Sequence, residues 1–198
     1  MANNSENVNV MRGDVSGYAY WAPLGTDYTP EMVKTRTAPT GFLPLGYITS
    51  DGIVNSRSAD SDAAQDLNGT TVKNIKTGYE ETFQQVFMER TAETLKLNFG
   101  AANVSTDATT NVQIVKHNSG FNDTGFMILY RFISDETDTE FTYTDMLLRN
   151  GNVKEVGDIT MAGTALYQLD ATVSALPDSD GNNAIEYSAT VAKATPAP

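Results

Sequence analysis

The stretch Phe83–Asn103, FQQVFMERTAETLKLNFGAAN, constrains this fold most, because only here is there a case for a helix while β-type runs lie on both sides. Two local readings compete. In one, Thr77 and Glu80 form a capping box that starts a long helix with Tyr79, Phe83, Val86 and Phe87 as its apolar stripe. That stripe fails at Arg90, and Leu95 and Phe99 then point to the opposite side, so one helix would have to change its buried face midway. A break near Arg90 is the better reading. It predicts a strand over 81–89 and a short helix over 91–99, with Ala92, Leu95 and Phe99 on one face and Gly100 in a left-handed cap. Against the helix, Leu95, Leu97 and Phe99 also alternate with Thr94, Lys96 and Asn98 as a strand would.

The flanks read as strands and turns. Residues 1–16 are polar and without period, a flexible arm. Residues 17–22, GYAYWA, form a first strand stopped by Pro23 and Gly25, and GFLPLGYI (41–48) a second, with Pro44 implying an edge or bulge. Residues 50–70 hold almost no residue of a kind that is usually buried, and so long an irregular loop in a compact domain is either functional or disordered. Residues 71–76, TVKNIK, lead into the central stretch, and further strands are expected at 112–116, 125–134, 140–148, 152–161, 164–176 and 184–188. GFMILYRFIS (125–134) is the most apolar of these. Asn150-Gly151 is a strong hairpin signal and Ala162-Gly163 a weaker one. Roughly eight to ten strands and one helix predict a mainly β chain, a β-sandwich or partly closed β-barrel with a single α-helix packed against it. One domain over 17–190 follows, with residues 191–198 as a flexible tail.

Composition excludes several functions. At 198 residues the chain is long enough for one well-cored domain. It has no cysteine, which removes disulfides and thiolate metal sites. A net charge of −12 repels nucleic acid and anionic membranes. The N-terminus lacks the basic head and apolar core of a signal peptide, and the longest apolar run, 126–130, is too short to span a bilayer. The expectation is a soluble protein.

No motif makes a convincing active site. His117 is the only histidine, so no two-histidine relay or histidine-rich metal site exists, and no Gly-x-Ser-x-Gly elbow accompanies it. Arg12-Gly13-Asp14 is a tripeptide that integrins bind on tight loops, but three residues recur by chance and an ordinary turn is preferred. Asp178-Ser179-Asp180-Gly181, with Glu186 beyond, has some oxygen spacing of a calcium loop, yet it is too short for an EF-hand and reads as an Asp-Gly turn. The acid pairs Asp60 and Asp62, and Asp135 and Glu136, read as solvated surface. Asn68-Gly69-Thr70 is a sequon expected by chance in a chain this rich in Asn and Thr. No catalytic, cofactor or metal residue is assigned.

Four stretches carry a resemblance: GYAYWAPLGT, FLPLGYITSDGIVNS, ETFQQVFMERTAETLKLNFGAANV and NGNVKEVGDITMAGTALYQLDATVSALPDSDGNNAIEY. In this order they resemble the major tail tube proteins of long non-contractile-tailed bacteriophages over about residues 17–187. The resemblance implies a β-sandwich or barrel with one helix after the strand at 81–89. It also implies a non-enzymatic virion protein, made in the host cytoplasm, whose homohexameric rings stack into the conduit for DNA ejection. Tape measure, tail terminator and tail-tip proteins would be its partners. The loop at 50–70 would order on ring stacking, although Asp66-Leu67-Asn68-Gly69 departs from the Trp-Gly type of segment there. Outward acids such as Glu140, Asp145, Glu155 and Asp158 are the candidate lining of an anionic lumen. The alternatives are a carbohydrate- or ligand-binding β-sandwich using Tyr18, Tyr20 and Trp21 as a stacking platform, another phage tail component, and, last, a β-rich hydrolase using acid pairs.

Overall fold

In the computed structural model, which describes residues 8–35, 37–118 and 124–193, eleven strands and one α-helix run in the order β1 (Arg12–Gly13), β2 (Ala19–Pro23), β3 (Leu43–Pro44), β4 (Ile48–Gln65), β5 (Thr71–Phe87), α1 (Ala92–Phe99), β6 (Val104–Thr106), β7 (Gln113–Val115), β8 (Phe126–Glu136), β9 (Glu140–Val156), β10 (Leu169–Ala175) and β11 (Ile185–Ala192). Nine strands share one antiparallel sheet, and β6 and β7 form a separate pair. The path through the large sheet is β3-β2-β8-β9-β10-β5-β4, with β1 added to β8 and β11 to β9.

That path curls over on itself. Phe83 on β5 and Tyr130 on β8 are separated by β9 and β10 in the sheet, yet their rings stack with centroids 5.6 Å apart. In a flat sheet three inter-strand steps would hold them about 14 Å apart. The Tyr130 hydroxyl completes the link by donating to Gln85 Oε1 at 2.7 Å. The two ends of the path, β3 and β4, are joined by residues 45–47 but share no ladder, so the sheet stays open rather than closing into a barrel.

β8 explains the most apolar run in the sequence. Phe126, Ile128 and Tyr130 face the main core with Phe83, Phe87, Leu148, Leu169, Ala171 and Val173. Met127, Leu129 and Ile133 face the other way, beneath Tyr28, Val33 and Phe42 of the segment joining β2 to β3. A strand buried on both faces needs no polar alternation. β10 is the contrasting case: only Leu169, Ala171, Val173 and Ala175 are fully buried, and the residues between them are partly exposed.

The helix begins after the break at Arg90. Thr91 is its N-cap, accepting from Thr94 N at 3.2 Å, while Thr94 Oγ1 accepts from Thr91 N at 2.9 Å. Its buried residues are Thr94, Leu95 and Leu97 rather than the expected Ala92, Leu95 and Phe99. Leu97 packs into the core alongside Leu95, which is why the segment also read as a strand. Gly100 has φ 88° but ψ 139°, outside the left-handed helical region expected for it.

Several boundaries moved. The strand expected over 81–89 ends at Phe87 and begins ten residues earlier, taking in 71–80 as β5. The segments 152–161 and 164–176 are ordered as strand only to Val156 and from Leu169. The Asn150-Gly151 hairpin does not exist, because both residues lie inside β9. A Cβ on Gly151 would stand 3.0 Å from the Phe126 ring and 3.2 Å from Val173, so the glycine serves close packing instead. The N-terminal arm is in part paired: Arg12 and Gly13 lie opposite Ile133 and Phe132. At the other end β11 takes in residues 191–192 of the expected tail. Residues 1–7 and 194–198 of the two expected arms fall outside the described residues. Among those described, no helix is long and apolar enough to cross a membrane.

Candidate assembly interface

The segment 50–70, expected as an irregular loop, is the outer half of a two-stranded antiparallel arm. β4 and β5 pair from Ile53↔Gln85 out to Gln65↔Thr71, with bulges near Asp60 and Gln65. Every residue from Val54 to Ala63, and every one from Thr71 to Glu80, is exposed. The backbone ladder, not burial, defines these strands. Their small polar residues (Ser56, Ser58, Ala59, Ser61, Ala63) gave no alternation for sequence reading to detect.

At the root the arm is tied down by polar contacts. Buried Glu81 accepts from Asn55 Nδ2 and from the Tyr79 hydroxyl, both at 2.9 Å. The hydrogen bond from Tyr79 to that carboxylate raises the phenol above its ordinary pKa. Glu80 meets Lys154 of β9 at 2.6 Å. At the apex, Asp66 Oδ1 accepts from the backbone N–H of Asn68 and of Thr70, and Gly69 takes φ 80°, which the turn requires. This is the structural role of the Asn68-Gly69-Thr70 sequon. The arm also exposes Val54, Leu67, Val72, Ile75 and Tyr79. A hairpin alone is at best marginally stable in water, and the eight pairs from Ser58↔Glu80 to Gln65↔Thr71 project from the core with their apolar residues uncovered.

Behind the sheet lies the opposite arrangement. Arg131 and Asp145 face each other across β8 and β9, both with side chains fully buried. The guanidinium donates through Nε to Oδ1 at 2.8 Å and through Nη2 to Oδ2 at 2.6 Å. Its remaining donors go to the carbonyls of Met32, Thr35 and Thr37 at 2.6–3.0 Å, so all five N–H groups are used. Tyr28 adds a 2.5 Å hydrogen bond to Asp145 Oδ2, and burial together with that bond pushes its phenol pKa upward. The network pins the 28–37 segment over β8. Sequence reading placed Asp145 among outward acids; its register opposite Arg131 puts it in the core. Glu140, Glu155 and Asp158 are exposed.

The other singled-out residues are placed as follows. Arg12 pairs with Glu136 in a short strand and Asp14 is only 1% exposed, so the tripeptide is not displayed on a loop tip. Glu136 also receives Lys193 at 2.8 Å, and Asp135 and Glu136 are the last two residues of β8, paired with Thr142 and Phe141. Asp60 and Asp62 lie exposed on the arm, opposite Gly78 and Ile75. The His117 ring packs tilted, at 46°, against Phe99 with centroids 4.6 Å apart. Asp178 caps its own turn, and the backbone N–H of Asn182, with that of Asp180, holds its carboxyl below the usual range. No cluster of three metal-ligating residues exists among the described residues. Tyr20 and Trp21 are 1% and 8% exposed, and Lys96 covers the Trp21 ring at 5.5 Å. The proposed aromatic platform is therefore core, because the 24–42 segment and α1 cover β2 on its two faces.

No curated protein matches the chain. A family model described as phage tail tube protein matches residues 1–197, nearly the whole sequence, and that family is structural. With an open β-sheet, one packed helix and a long uncovered arm, the chain belongs to the phage tail tube protein family.

Proposed function

We propose that this protein is the major tail tube subunit of a long non-contractile phage tail. Homohexameric rings of it stack into the conduit through which DNA is ejected. The observation that carries this reading is the arm: eight register pairs, from Ser58↔Glu80 to Gln65↔Thr71, projecting from the core with both faces in solvent. A surface that is not its own complement contacts a different surface on the next copy and propagates, closing around a ring and continuing along an axis. Assembly takes place in the host cytoplasm, and the finished protein resides in the virion tail with tape measure, terminator and tail-tip proteins as neighbours. A net charge of −12 repeated around each ring suits a lumen along which DNA slides without binding, with Glu140, Glu155 and Asp158 as its candidate lining. The role is non-enzymatic.

Size-exclusion chromatography with negative-stain electron microscopy over a concentration series tests the reading. Hollow tubes of uniform diameter with sixfold end views are expected, alone or on tail-tip complexes. A monomer that fails to polymerise even on tail-tip complexes would overturn it. Reversing the charge of Glu140, Glu155 and Asp158 together is expected to impair infectivity without preventing tube formation; unchanged infectivity would exclude them as lumen acids.

A further inference from the structure

The chain contains two Asn-Gly pairs. In this dipeptide the asparagine side chain is open to attack by the next backbone nitrogen, because glycine has no Cβ to hold that nitrogen away. The fold treats the two pairs in opposite ways. Asn150-Gly151 lies inside β9: Gly151 is buried, in register with Phe126 and Ala175, and Asn150 Nδ2 donates to the Pro177 carbonyl at 3.3 Å. Asn68-Gly69 stands at the apex of the arm with both residues exposed.

The apex turn has a twin elsewhere in the molecule. In Asp66–Thr70 the Asp66 carboxylate accepts from the N–H groups of Asn68 and Thr70 at 2.9 and 2.8 Å. Gly69 N donates to the Asp66 carbonyl at 3.0 Å, and Asp66 N to the Thr70 carbonyl at 2.9 Å. The same four hydrogen bonds recur in Asp178–Asn182, at 2.9, 2.9, 3.1 and 2.9 Å, with Gly181 at φ 85° where Gly69 has 80°. There the place of Asn68 is taken by Asp180. This turn therefore accepts an aspartate at its third position with the backbone unchanged.

We propose that Asn68 is a site of spontaneous modification, at which the free chain deamidates. Gly69 N attacks Asn68 Cγ: a new C–N bond forms, the bond from Cγ to Nδ2 breaks, and ammonia leaves with the proton of the Gly69 amide. Water then opens the cyclic imide. Opening at Cγ gives aspartate, which the turn holds as its twin holds Asp180. Opening at the backbone carbonyl gives isoaspartate, whose main chain runs through Cβ and Cγ and lengthens the closed turn. Either product adds a negative charge beside Asp66. Gly69 N is engaged while the turn is closed, so attack proceeds from its local openings, and the two bonds to the Asp66 carboxylate set how often these occur. Asp66 is thus a positioning residue that slows the reaction. None of this depends on the tube-subunit reading.

Incubation of the full chain at mildly alkaline pH, followed by mass spectrometry of its peptides, tests the proposal. The peptide containing Asn68 is expected to gain the mass difference between amide and acid and to accept methyl groups from an isoaspartyl methyltransferase. The peptide containing Asn150 is expected to keep its amide. In urea-unfolded chain both are expected to react at comparable rates, which assigns the difference to the fold. Loss at Asn150 as fast as at Asn68 in the folded protein would overturn the proposal, as would an Asn68 that stays intact while the unfolded chain reacts. Asp66→Ala is expected to speed the loss at Asn68 about five- to tenfold, the effect of two fewer hydrogen bonds on the population of open turn. An unchanged rate would overturn the role of Asp66.

Discussion

β8 and the outer half of the β4–β5 arm are both regular antiparallel strand, but β8 is buried on both faces and the arm on neither. β8 draws its stability from two apolar layers and from an ion pair whose polar atoms are engaged. The arm has a backbone ladder, a few side-chain contacts at its root and a capped turn at its tip. The difference teaches where the fold ends and assembly begins. A mutation near β8 acts on a free energy of folding, whereas one on the arm, on the tube-subunit reading, is expected to act on a free energy of association.

The sharpest way to break that comparison is to remove the arm. Replacing residues 59–79 by Asn-Gly closes Ser58 onto its register partner Glu80 with a two-residue hairpin turn. Tube formation is expected to be lost altogether, while calorimetry finds a melting temperature within about 3 °C of wild type, because surface changes away from a core cost little. A large loss of stability would mean that the arm belongs to the folding unit after all. Next in size is Arg131→Met. It leaves Asp145 as a buried charge and frees the carbonyls of Met32, Thr35 and Thr37. A loss of about 3–5 kcal/mol is expected in urea unfolding; a neutral result would show that the 28–37 segment holds itself in place.

How much of this was legible follows the same division. The apolar run of β8, the alternation of Leu169, Ala171 and Val173, and the failed helical stripe at Arg90 all report burial, and sequence carries burial as periodicity. The outer arm was not legible as strand, because nothing in it is buried; its one local signal, Asp66 and Gly69 in turn positions, went unused when 50–70 was read as an irregular loop. Asp145 was misplaced for a different reason. An acid on a strand reads as outward unless its partner is known, and Arg131 becomes its partner only through the register of β8 against β9. Asn150-Gly151 failed likewise: a local turn preference was overridden by Phe126 and Val173 closing on Gly151.

Smaller effects sharpen the picture of the core. Gly151→Val inserts a side chain where Phe126 and Val173 already approach to 3.0 and 3.2 Å, and is expected to cost about 1–3 kcal/mol by equilibrium unfolding. The buried phenols give the core a pH signature. Burial raises Tyr130, and burial with the Asp145 bond raises Tyr28. A native pKa above the unfolded value means the unfolded chain loses these protons first, so their contribution is intact below about pH 10 and falls as pH rises above it. Each such tyrosine is expected to steepen the loss by about 1.4 kcal/mol per pH unit. Tyr28→Phe, with urea midpoints followed from pH 9 to 11, is expected to remove one share of that slope; an unchanged slope would mean Tyr28 ionises in the native state.

The smallest effect probes whether the arm opens independently of the core. Asp66→Ala removes the acceptor for the N–H groups of Asn68 and Thr70, both exposed to water at the apex. Global stability is expected to change by less than about 0.5 kcal/mol, since the loss is local and solvent replaces the bonds. Amide hydrogen exchange is expected to speed up around Gln65–Thr71 in the free subunit while amides of β8 stay protected, because local openings of an exposed ladder need not pass through global unfolding. If the β8 amides accelerated in parallel, arm and core would be one cooperative unit. Tip flexibility would then be set by core packing, not by the capped turn that presents Leu67.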